Sequence, residues 1–387
     1  MLVMVVLMCS NPFMGLMFTA VGPVLPSVMN QFGAAGDGAL NAQLIMTIPG
    51  VGLILAGPPI GWLTQRYGAA LLVRWALLVF ALAGAAGMVI DNLAVFLAAR
   101  FVLGVAASAI ATSTLALVGE RFEDVRRARI LSYQAAAGSA FGFVSLLLSG
   151  AMAEAWGWRA PFALYLIAAP VLICALAGLP VRGPMDAAAA AEKSTAERLS
   201  STRGSLKPLW PVFALIVVVF IAVFMNAVQA SFLLAADGVT SPSVQSWIMA
   251  SSAVASSVGA VSYGFIRPRL GARWTFALCL IAMGVGFVTL GLSGGIAIKV
   301  LGTVIASLGA GCVGPYVGNL LLDRAAPNVR ERAAGLLYSA TFVGDFLNPI
   351  VVTPLRYAFG IHGAFIVVGG LCAVGALIVL LRRVRSA

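Results

Sequence analysis

The feature that most constrains this chain is a series of apolar stretches, each about as long as a lipid bilayer is thick. Twelve such stretches of roughly 20 residues alternate with short segments that carry almost every charge. A helix satisfies its backbone hydrogen bonds within hydrocarbon, and the Gly- and Ala-rich runs lack the alternation of barrel strands. The predicted membrane helices, named spans 1 to 12, cover residues 3–28, 40–63, 71–90, 93–118, 130–152, 160–180, 210–235, 244–265, 273–293, 297–321, 333–355 and 362–381.

The composition agrees with a lipid environment. Of the 387 residues, 61% are hydrophobic and only 10% are charged, whereas a soluble domain usually carries about 25% charged residues. The first stretch has no basic residue before it and is followed by eleven more, so we predict a membrane helix and not a cleaved secretory signal. The five cysteines lie inside apolar spans without metal-ligand or redox spacing, so we expect buried thiols and no metal or cofactor site.

The net charge of +11 follows a membrane topology. Twenty of the 24 basic residues fall in the even-numbered loops and at the C-terminus, whereas the odd-numbered loops contain mainly acidic residues. The positive-inside rule therefore predicts a multi-pass protein of the bacterial inner membrane with both termini in the cytoplasm. The same distribution argues against a nucleic-acid partner, because the charge is explained by topology.

The sequence contains an internal repeat. A single displacement of 203 positions brings three separate places into register over more than 100 residues, which indicates a duplication. The aligned segments are 61–69 with 264–272, 127–129 with 330–332, and 156–162 with 359–365.

A duplication into two six-helix halves of equal orientation predicts the domain organisation. Parallel repeats of this kind hold their solute site between the halves, near the bilayer midplane. We predict an N-terminal bundle of residues 1–180, a cytoplasmic linker of residues 181–208 whose slack lets the halves rock, and a C-terminal bundle of residues 209–387.

The loop between spans 2 and 3 carries a recognisable motif. Gly61, Leu63, Arg66 and Gly68 match the pattern G-x-L-a-D-R-x-G-R-K, whereas Gln65 stands where the pattern has aspartate. With the twelve spans and the central linker, this motif resembles the major facilitator superfamily over essentially the whole chain. The resemblance implies an all-helical membrane fold of two six-helix bundles related by pseudo-twofold symmetry. It also implies a gating role for Gly61, Gln65, Arg66 and Gly68, and we hypothesise that the missing charge at Gln65 weakens this latch.

Span 4 contains Arg100 followed by Gly104, which is similar to an Arg-x-x-x-Gly element of the family. Arg100 lies eight residues beyond Asn92, and therefore roughly 12 Å below the predicted outer surface. A buried arginine costs ~2.5 kcal/mol or more in a membrane and so usually faces a cavity or a partner. Two roles stay open: an anion contact or proton-relay partner in a cavity, and structural hydrogen bonding to the carbonyls of a neighbouring helix.

Asp345 is the one acidic residue deep inside an apolar span. It lies 13 residues from Arg332 and 11 from Arg356, roughly 15–20 Å from either end of span 11. A carboxylate there faces a large desolvation penalty, so its protonation can change with access from either side, as proton coupling requires. We assign proton coupling to Asp345 together with Arg100. A permanently protonated acid, or one fixed by a structural hydrogen bond, is the alternative.

Uncharged polar residues inside the spans are the candidates for solute recognition. In the superfamily, spans 1, 4, 7 and 10 line the central cavity, and two polar pairs in spans 7 and 10 are spaced i and i+3 on one helix face. Such pairs equally tie helices together in a membrane, at about 0.6 kcal/mol each. The predicted substrate-binding residues are Asn11, Thr112, Asn226, Gln229, Tyr316, Asn319 and Asn348.

Together these features predict a secondary transporter that moves a small organic solute, either a drug-like compound or a metabolite, by alternating access. Asp345 favours proton coupling, and the Pro- and Gly-rich second half of span 2 favours efflux by antiport. Span 5 lacks the proline of the drug-antiporter motif, so proton symport or facilitated uptake of a small polar metabolite is the alternative. The expected partners are the solute, protons and lipid, and we expect a monomer.

Two other classes of function are disfavoured. An intramembrane enzyme needs a nucleophile and base, a metal set or paired carboxylates, whereas this chain has one histidine and one mid-membrane acid. ATP-driven pumping needs a phosphate-binding loop of the P-loop type, and the sequence contains none.

Overall fold

A computed structural model describes most of the chain. The described residues are 2–32, 37–122, 124–179, 206–292, 294–326 and 329–381, and within these ranges the secondary structure is helical, without a strand. The chain divides into two compact units, Met1–Gly204 and Ser205–Ala387. The predicted linker of residues 181–208 lies outside the described residues except for its last three positions, so its boundaries stay a prediction.

The N-terminal unit contains spans 1 to 6. Span 1 is interrupted twice, whereas spans 2, 4 and 5 are single helices of about 30 residues. The helices are Leu2–Met8, Ser10–Thr19 and Leu25–Phe32 for span 1, Gly38–Tyr67 for span 2, Ala69–Ala85 for span 3, Leu93–Arg121 for span 4, Asp124–Trp156 for span 5, and Ala168–Gly178 for span 6 after the 3-10 helix Ala160–Ile167.

The C-terminal unit contains spans 7 to 12. Its helices are Trp210–Val223 and Met225–Ala236 for span 7, Pro242–Gly291 for spans 8 and 9, Ile296–Arg324 for span 10, and Arg330–Leu381 for spans 11 and 12. The two longest run for 50 and 52 residues, and a straight helix of that length would extend about 75 Å, far more than a bilayer core. Each is broken by a non-helical glycine, Gly271 or Gly360, so helices account for all twelve predicted spans.

Glycines at the turns between spans preserve the internal repeat. Gly68, with φ of 84°, precedes span 3, and Gly271, with φ of 74°, precedes span 9. Gly157 and Gly360, with φ of 86° and 70°, occupy the corresponding turns before spans 6 and 12. Positive φ is accessible to glycine at little cost, so these turns need glycine. Both pairs are separated by the displacement of 203 residues found in the sequence.

Spans 2 and 4 cross with their backbones in direct contact. A Cβ atom on Gly104 would lie 1.9 Å from the carbonyl oxygen of Pro49, and one on Gly52 would lie 2.3 Å from that of Phe101. Small residues permit such close approach, as is common between membrane helices.

Spans 8 and 10 repeat this crossing in the C-terminal unit. A Cβ atom on Gly311 would lie 1.9 Å from the carbonyl oxygen of Ser256, and one on Gly259 would lie 2.1 Å from that of Leu308. These four residues lie 207 positions after their counterparts in spans 2 and 4, whereas the turn glycines are related by 203 positions. The difference of four residues is about one helical turn. The repeat therefore extends to individual backbone contacts.

Aromatic rings fill the core of the N-terminal unit. The ring centroid of Phe80 lies 5.0 Å from that of Phe13 and 5.6 Å from that of Tyr165. Gly84 makes room for this packing, because a Cβ atom there would lie 2.3 Å from the Tyr165 ring. The packing fixes the Tyr165 side chain, whose hydroxyl reaches Arg100 of span 4.

The C-terminal unit has an apolar core to which all six of its spans contribute. Phe287 of span 9 and Phe365 of span 12 meet edge to face, with ring centroids 6.1 Å apart. Gly286 lets span 9 approach span 10, because a Cβ atom there would lie 2.2 Å from the amide nitrogen of Ala306. Tight packing of this kind holds the polar residues of this unit in place.

The crossing of spans 8 and 10 generates a stability prediction. Gly311→Ala should lower the free energy of unfolding by about 2 kcal/mol, because the new methyl group meets backbone that cannot move aside. Gly318→Ala, on the same helix, is the matched control, since a Cβ atom there has no neighbour within 4 Å. Unfolding by SDS in mixed micelles measures both variants. Equal stability of the two variants would contradict the close approach.

Candidate functional site

Interruptions of the membrane helices release backbone carbonyl groups from their usual partners. Pro49 has no N–H, so it cannot bond the carbonyl of Ile45 four residues earlier. In span 1 the amide of Val21 donates to the carbonyl of Phe18 at 3.3 Å, and not to that of Met17, four residues before it. Unpaired carbonyls are costly in hydrocarbon, so other groups must bond them.

Arg100 bonds both released carbonyls. Its side chain is fully buried, with Nε donating to the Ile45 carbonyl at 2.9 Å and Nη2 donating to the Met17 carbonyl. Nη1 donates to the Tyr165 hydroxyl at 2.7 Å. One guanidinium group therefore joins span 4 to spans 1, 2 and 6. This geometry corresponds to the structural role that the sequence left open, and a role in proton coupling stays a prediction.

The internal repeat supports this interpretation of Arg100. At the displacement of 207 residues that relates the two helix crossings, Pro49 corresponds to Ser256 and Arg100 corresponds to Ser307. Ser256 keeps its backbone N–H, so no carbonyl is released in span 8 at this position. The half that lacks the proline also lacks the arginine.

Tyr165 is a second member of the Arg100 site that the sequence did not indicate. Its hydroxyl lies 3.3 Å from the carbonyl oxygens of both Leu16 and Met17, and its ring centroid lies 5.6 Å from the guanidinium carbon of Arg100. From the sequence alone, a tyrosine in an apolar span can also lie near the lipid headgroups. The role of Tyr165 becomes clear only from the helices that it faces in the structure.

Span 5 bonds the other released carbonyls of span 1. The Gln134 side chain donates to the carbonyl of Leu7, next to the interruption at Cys9, and the Ser149 hydroxyl donates to the carbonyl of Ala20 at 2.8 Å. Gln134 was also missed from the sequence, because Pro12, which follows the break, indicates an interruption of span 1 but not which span supplies the donor. Its role is the same as that of Arg100: it compensates a broken helix.

Asn11 and Thr112, both predicted to bind substrate, are half-buried in the N-terminal unit. Span 5 packs closely on Asn11, since a Cβ atom on Gly138 would lie 2.7 Å from the Asn11 Cβ atom. The assignment of Asn11 and Thr112 to solute binding stays a prediction.

In the C-terminal unit, a hydrogen bond joins two of the predicted substrate-binding residues, Gln229 of span 7 and Asn348 of span 11. The Asn348 side chain donates to the carbonyl of Ile221 at 2.8 Å, in the last turn of the helix that ends at Val223. Gln229 Nε2 donates to Asn348 Oδ1 at 3.0 Å. Asn348 therefore bonds the interruption of span 7 and connects it to a second carboxamide.

Arg356 extends this polar network. Its Nη1 donates to Gln229 Oε1 at 3.4 Å, and its guanidinium carbon lies 4.8 Å from the ring centroid of Phe232. In the sequence Arg356 marked only the end of span 11. The structure instead places it in a continuous hydrogen-bonded series with Gln229 and Asn348.

Asp345 lies one helical turn before Asn348 and is fully buried. Within the described residues, neither carboxylate oxygen has a hydrogen-bond partner. The neighbouring Gly344 packs against span 7, because a Cβ atom there would lie 2.7 Å from the Phe220 Cβ atom. Asp345 is therefore buried within the C-terminal unit, and its assignment to proton coupling stays a prediction.

The remaining predicted residues of spans 7 and 10 bond neighbouring helices. Asn226 Nδ2 donates to Ser307 Oγ at 3.1 Å, which joins span 7 to span 10. Tyr316 stacks on Phe276 with ring centroids 4.3 Å apart and an interplanar angle of 2°. Asn319 Nδ2 donates to the hydroxyl of Tyr263 in span 8 at 3.3 Å and to the carbonyl of Pro315 in its own helix at 2.8 Å. A role of these side chains in solute binding stays a prediction.

The motif predicted as a loop between spans 2 and 3 is mostly helical, because Gly61, Gln65 and Arg66 lie in the last two turns of the span 2 helix, which ends at Tyr67. Gly68 terminates this span and begins the next, as its positive φ requires, while Gly61 lies within the span 2 helix. The guanidinium carbon of Arg66, which is exposed, lies 5.2 Å from the ring centroid of Trp62. The side chain of Gln65 lies outside what the structure describes, so the hypothesis of a weakened latch stays open.

A double-mutant cycle tests the structural role of Arg100. Arg100→Met should lower the free energy of unfolding by roughly 2–5 kcal/mol, because two carbonyls lose their donor. Pro49→Ala supplies a backbone N–H to the Ile45 carbonyl, so Arg100→Met should cost about 1 kcal/mol less in that background. SDS-induced unfolding measures the cycle, with Arg66→Met as the control for loss of an exposed arginine. Additive effects would contradict the proposed compensation.

Comparisons with known proteins agree with this architecture. The sequence profile described as Major Facilitator Superfamily matches residues 7–238 and again residues 212–387. The Sialic acid transporter NanX of Escherichia coli (strain K12) is 21% identical, over 88% of this chain and 84% of its own length. Multidrug resistance protein 2 of Bacillus subtilis (strain 168) is 24% identical, over 96% of this chain and 92% of its own.

Among solved structures, the crystal structure of a D-xylose-proton symporter superposes with a TM-score of 0.78 at 15% sequence identity. The superposition covers 98% of this chain and 97% of that protein. At this identity the similarity is one of fold, and it confirms the predicted all-helical fold of twelve spans in two bundles.

Proposed function

This chain belongs to the major facilitator superfamily and is a multi-pass secondary transporter, and we propose that it exports a small organic solute in exchange for protons. Asp345 is the observation that carries the proposal. We propose in addition that it resides in a bacterial inner membrane as a monomer with both termini in the cytoplasm, as the distribution of basic residues predicts.

A buried acid without a protein partner is suited to carrying a proton. Desolvation penalises the charged carboxylate of Asp345, so this side chain releases a proton only when water reaches it. In alternating access, water reaches such a group from one side of the membrane at a time. In antiport, Asp345 takes up a proton from the exterior and releases it to the cytoplasm, and the solute moves outward.

The direction and the solute class are supported by the relatives. One relative is named a multidrug resistance protein, which favours export of drug-like compounds. Another is named a sialic acid transporter, which supports the alternative of proton symport or facilitated uptake of a polar metabolite. The carboxamides of Gln229 and Asn348 bond each other, Arg356 and the carbonyl of Ile221, so a solute of either class would bind them by replacing one of these hydrogen bonds.

An Asp345→Asn variant tests proton coupling. In proteoliposomes with an imposed pH gradient, this variant should no longer accumulate the solute, because the amide cannot release a proton. It should still exchange solute across the membrane. Ethidium serves as the drug-like probe and N-acetylneuraminic acid as the polar metabolite. Asp345→Glu is the matched control, since it keeps a titratable group in the same span. Unchanged dependence on the pH gradient in Asp345→Asn would remove this residue from the coupling mechanism.

The sign of the gradient distinguishes antiport from symport in the same vesicles. Antiport should accumulate the probe when the lumen is more acidic than the medium, because protons leave as solute enters. Symport should accumulate it when the medium is more acidic. Equal transport under both gradients would indicate a facilitator and contradict proton coupling.

A further inference from the structure

A partly buried charge cluster joins four spans of the C-terminal unit, on the side that the positive-inside rule assigns to the exterior. Asp237 follows the last residue of span 7, Lys299 lies in the first turn of span 10, and His362 begins span 12. Lys299 Nζ lies 2.7 Å from Asp237 Oδ2, and His362 Nε2 lies 2.9 Å from Asp237 Oδ1. Asp237 therefore has one cationic and one titratable partner.

Lys299 connects this cluster to the backbone of span 9. Its side chain is only 1% exposed, and it also donates to the carbonyls of Leu290 and Leu292 at 2.8 and 3.0 Å. An ammonium group has three donors, and these contacts supply three acceptors. Lys299 thus holds the C-terminal end of span 9 and the end of span 7 against span 10.

His362 connects the cluster to span 12. Its backbone carbonyl packs on span 9, because a Cβ atom on Gly291 would lie 2.8 Å from that oxygen. The charged side chains that the described residues direct toward it are Asp237, from span 7, and Lys299, from span 10, while span 9 contributes the carbonyls of Leu290 and Leu292. Among the side-chain types in this cluster, only histidine has an ordinary pKa between 5 and 8.

Asp237 remains ionised across that range. Burial alone would raise the pKa of the Asp237 carboxyl group, but the hydrogen bonds from Lys299 and His362 outweigh burial and hold the pKa below its ordinary value. A protonated His362 forms an ion pair with Asp237, whereas a neutral one forms an ordinary hydrogen bond. Charge-assisted hydrogen bonds are roughly twice as strong as neutral ones.

In the N-terminal unit an arginine occupies the position of His362, and its acidic partner comes from a different loop, the one between spans 3 and 4. The alignment of the repeat places Arg159 at the position of His362, and Arg159 forms an ion pair with Asp91. Arginine stays charged at every physiological pH. At this position the second half therefore carries a histidine where the first half carries an arginine.

We propose that Asp237, Lys299 and His362 form a clasp that responds to external pH. Protonation of His362 holds the outer ends of spans 7, 9, 10 and 12 together, and loss of that proton loosens the end of span 7. This inference goes beyond the proposed function, because such a clasp would act equally in a proton-coupled and in an uncoupled carrier. Its failure would leave the role of Asp345 untouched.

Hydrogen exchange measured by mass spectrometry tests the clasp on the whole chain in lipid nanodiscs. The reporters are the amides of Asp237 and Val239, which donate to the carbonyls of Leu233 and Leu234. After correction for intrinsic exchange, these amides should exchange about threefold or more faster at pH 8 than at pH 6, because the ion pair becomes a weaker neutral contact. His362 is the only histidine of the chain, so its variants change no other imidazole.

Two substitutions at the same position complete the test. His362→Arg, which introduces the side chain found at Arg159 in the first half, should keep exchange slow at both pH values, and His362→Gln should keep it fast at both. The clasp is overturned if the wild-type change is below threefold, if it has the opposite sign, or if His362→Arg responds to pH as the wild type does.

Discussion

The structure depends on one constraint: a backbone carbonyl in hydrocarbon must have a donor, and several spans are interrupted where they cross the membrane. Pro49 and the irregular segments of spans 1 and 7 each release carbonyl groups. Arg100, Gln134 and Asn348, contributed by neighbouring spans, bond them. These three side chains therefore replace intrahelical hydrogen bonds, and in doing so they join neighbouring spans.

Asp345 differs from these residues in what it contacts. Arg100 and Asn348 have their polar atoms occupied by backbone and side chains, whereas the carboxylate oxygens of Asp345 have no partner within the described residues. A group already occupied by backbone changes state only if the fold loosens. A carboxyl group without such contacts can exchange a proton while the helices around it stay intact, which is what a repeated transport cycle demands.

The spans, their number and their duplication could be predicted from the sequence, because twenty apolar residues and a constant displacement are local patterns. The partners of the polar residues could not. The interruption at Phe224 has no proline at the break, and Pro12, which follows the break at Cys9, does not indicate which span bonds the released carbonyl. Tyr165 and Gln134 were missed for this reason. Asn348 was found as a polar residue, but its bond to Ile221 depends on the packing of two distant spans.

The correspondence of Pro49 and Arg100 with Ser256 and Ser307 has a consequence for how the two halves diverged. Either change alone is unfavourable. A proline without the arginine leaves a buried carbonyl without a donor. An arginine without the proline places a buried charge where it has too few hydrogen-bond acceptors. The two positions are therefore epistatic, and a lineage passes from one state to the other only through a weakened intermediate or a paired exchange. The asymmetry between the halves is a record of such a compensated step, fixed where two helices touch.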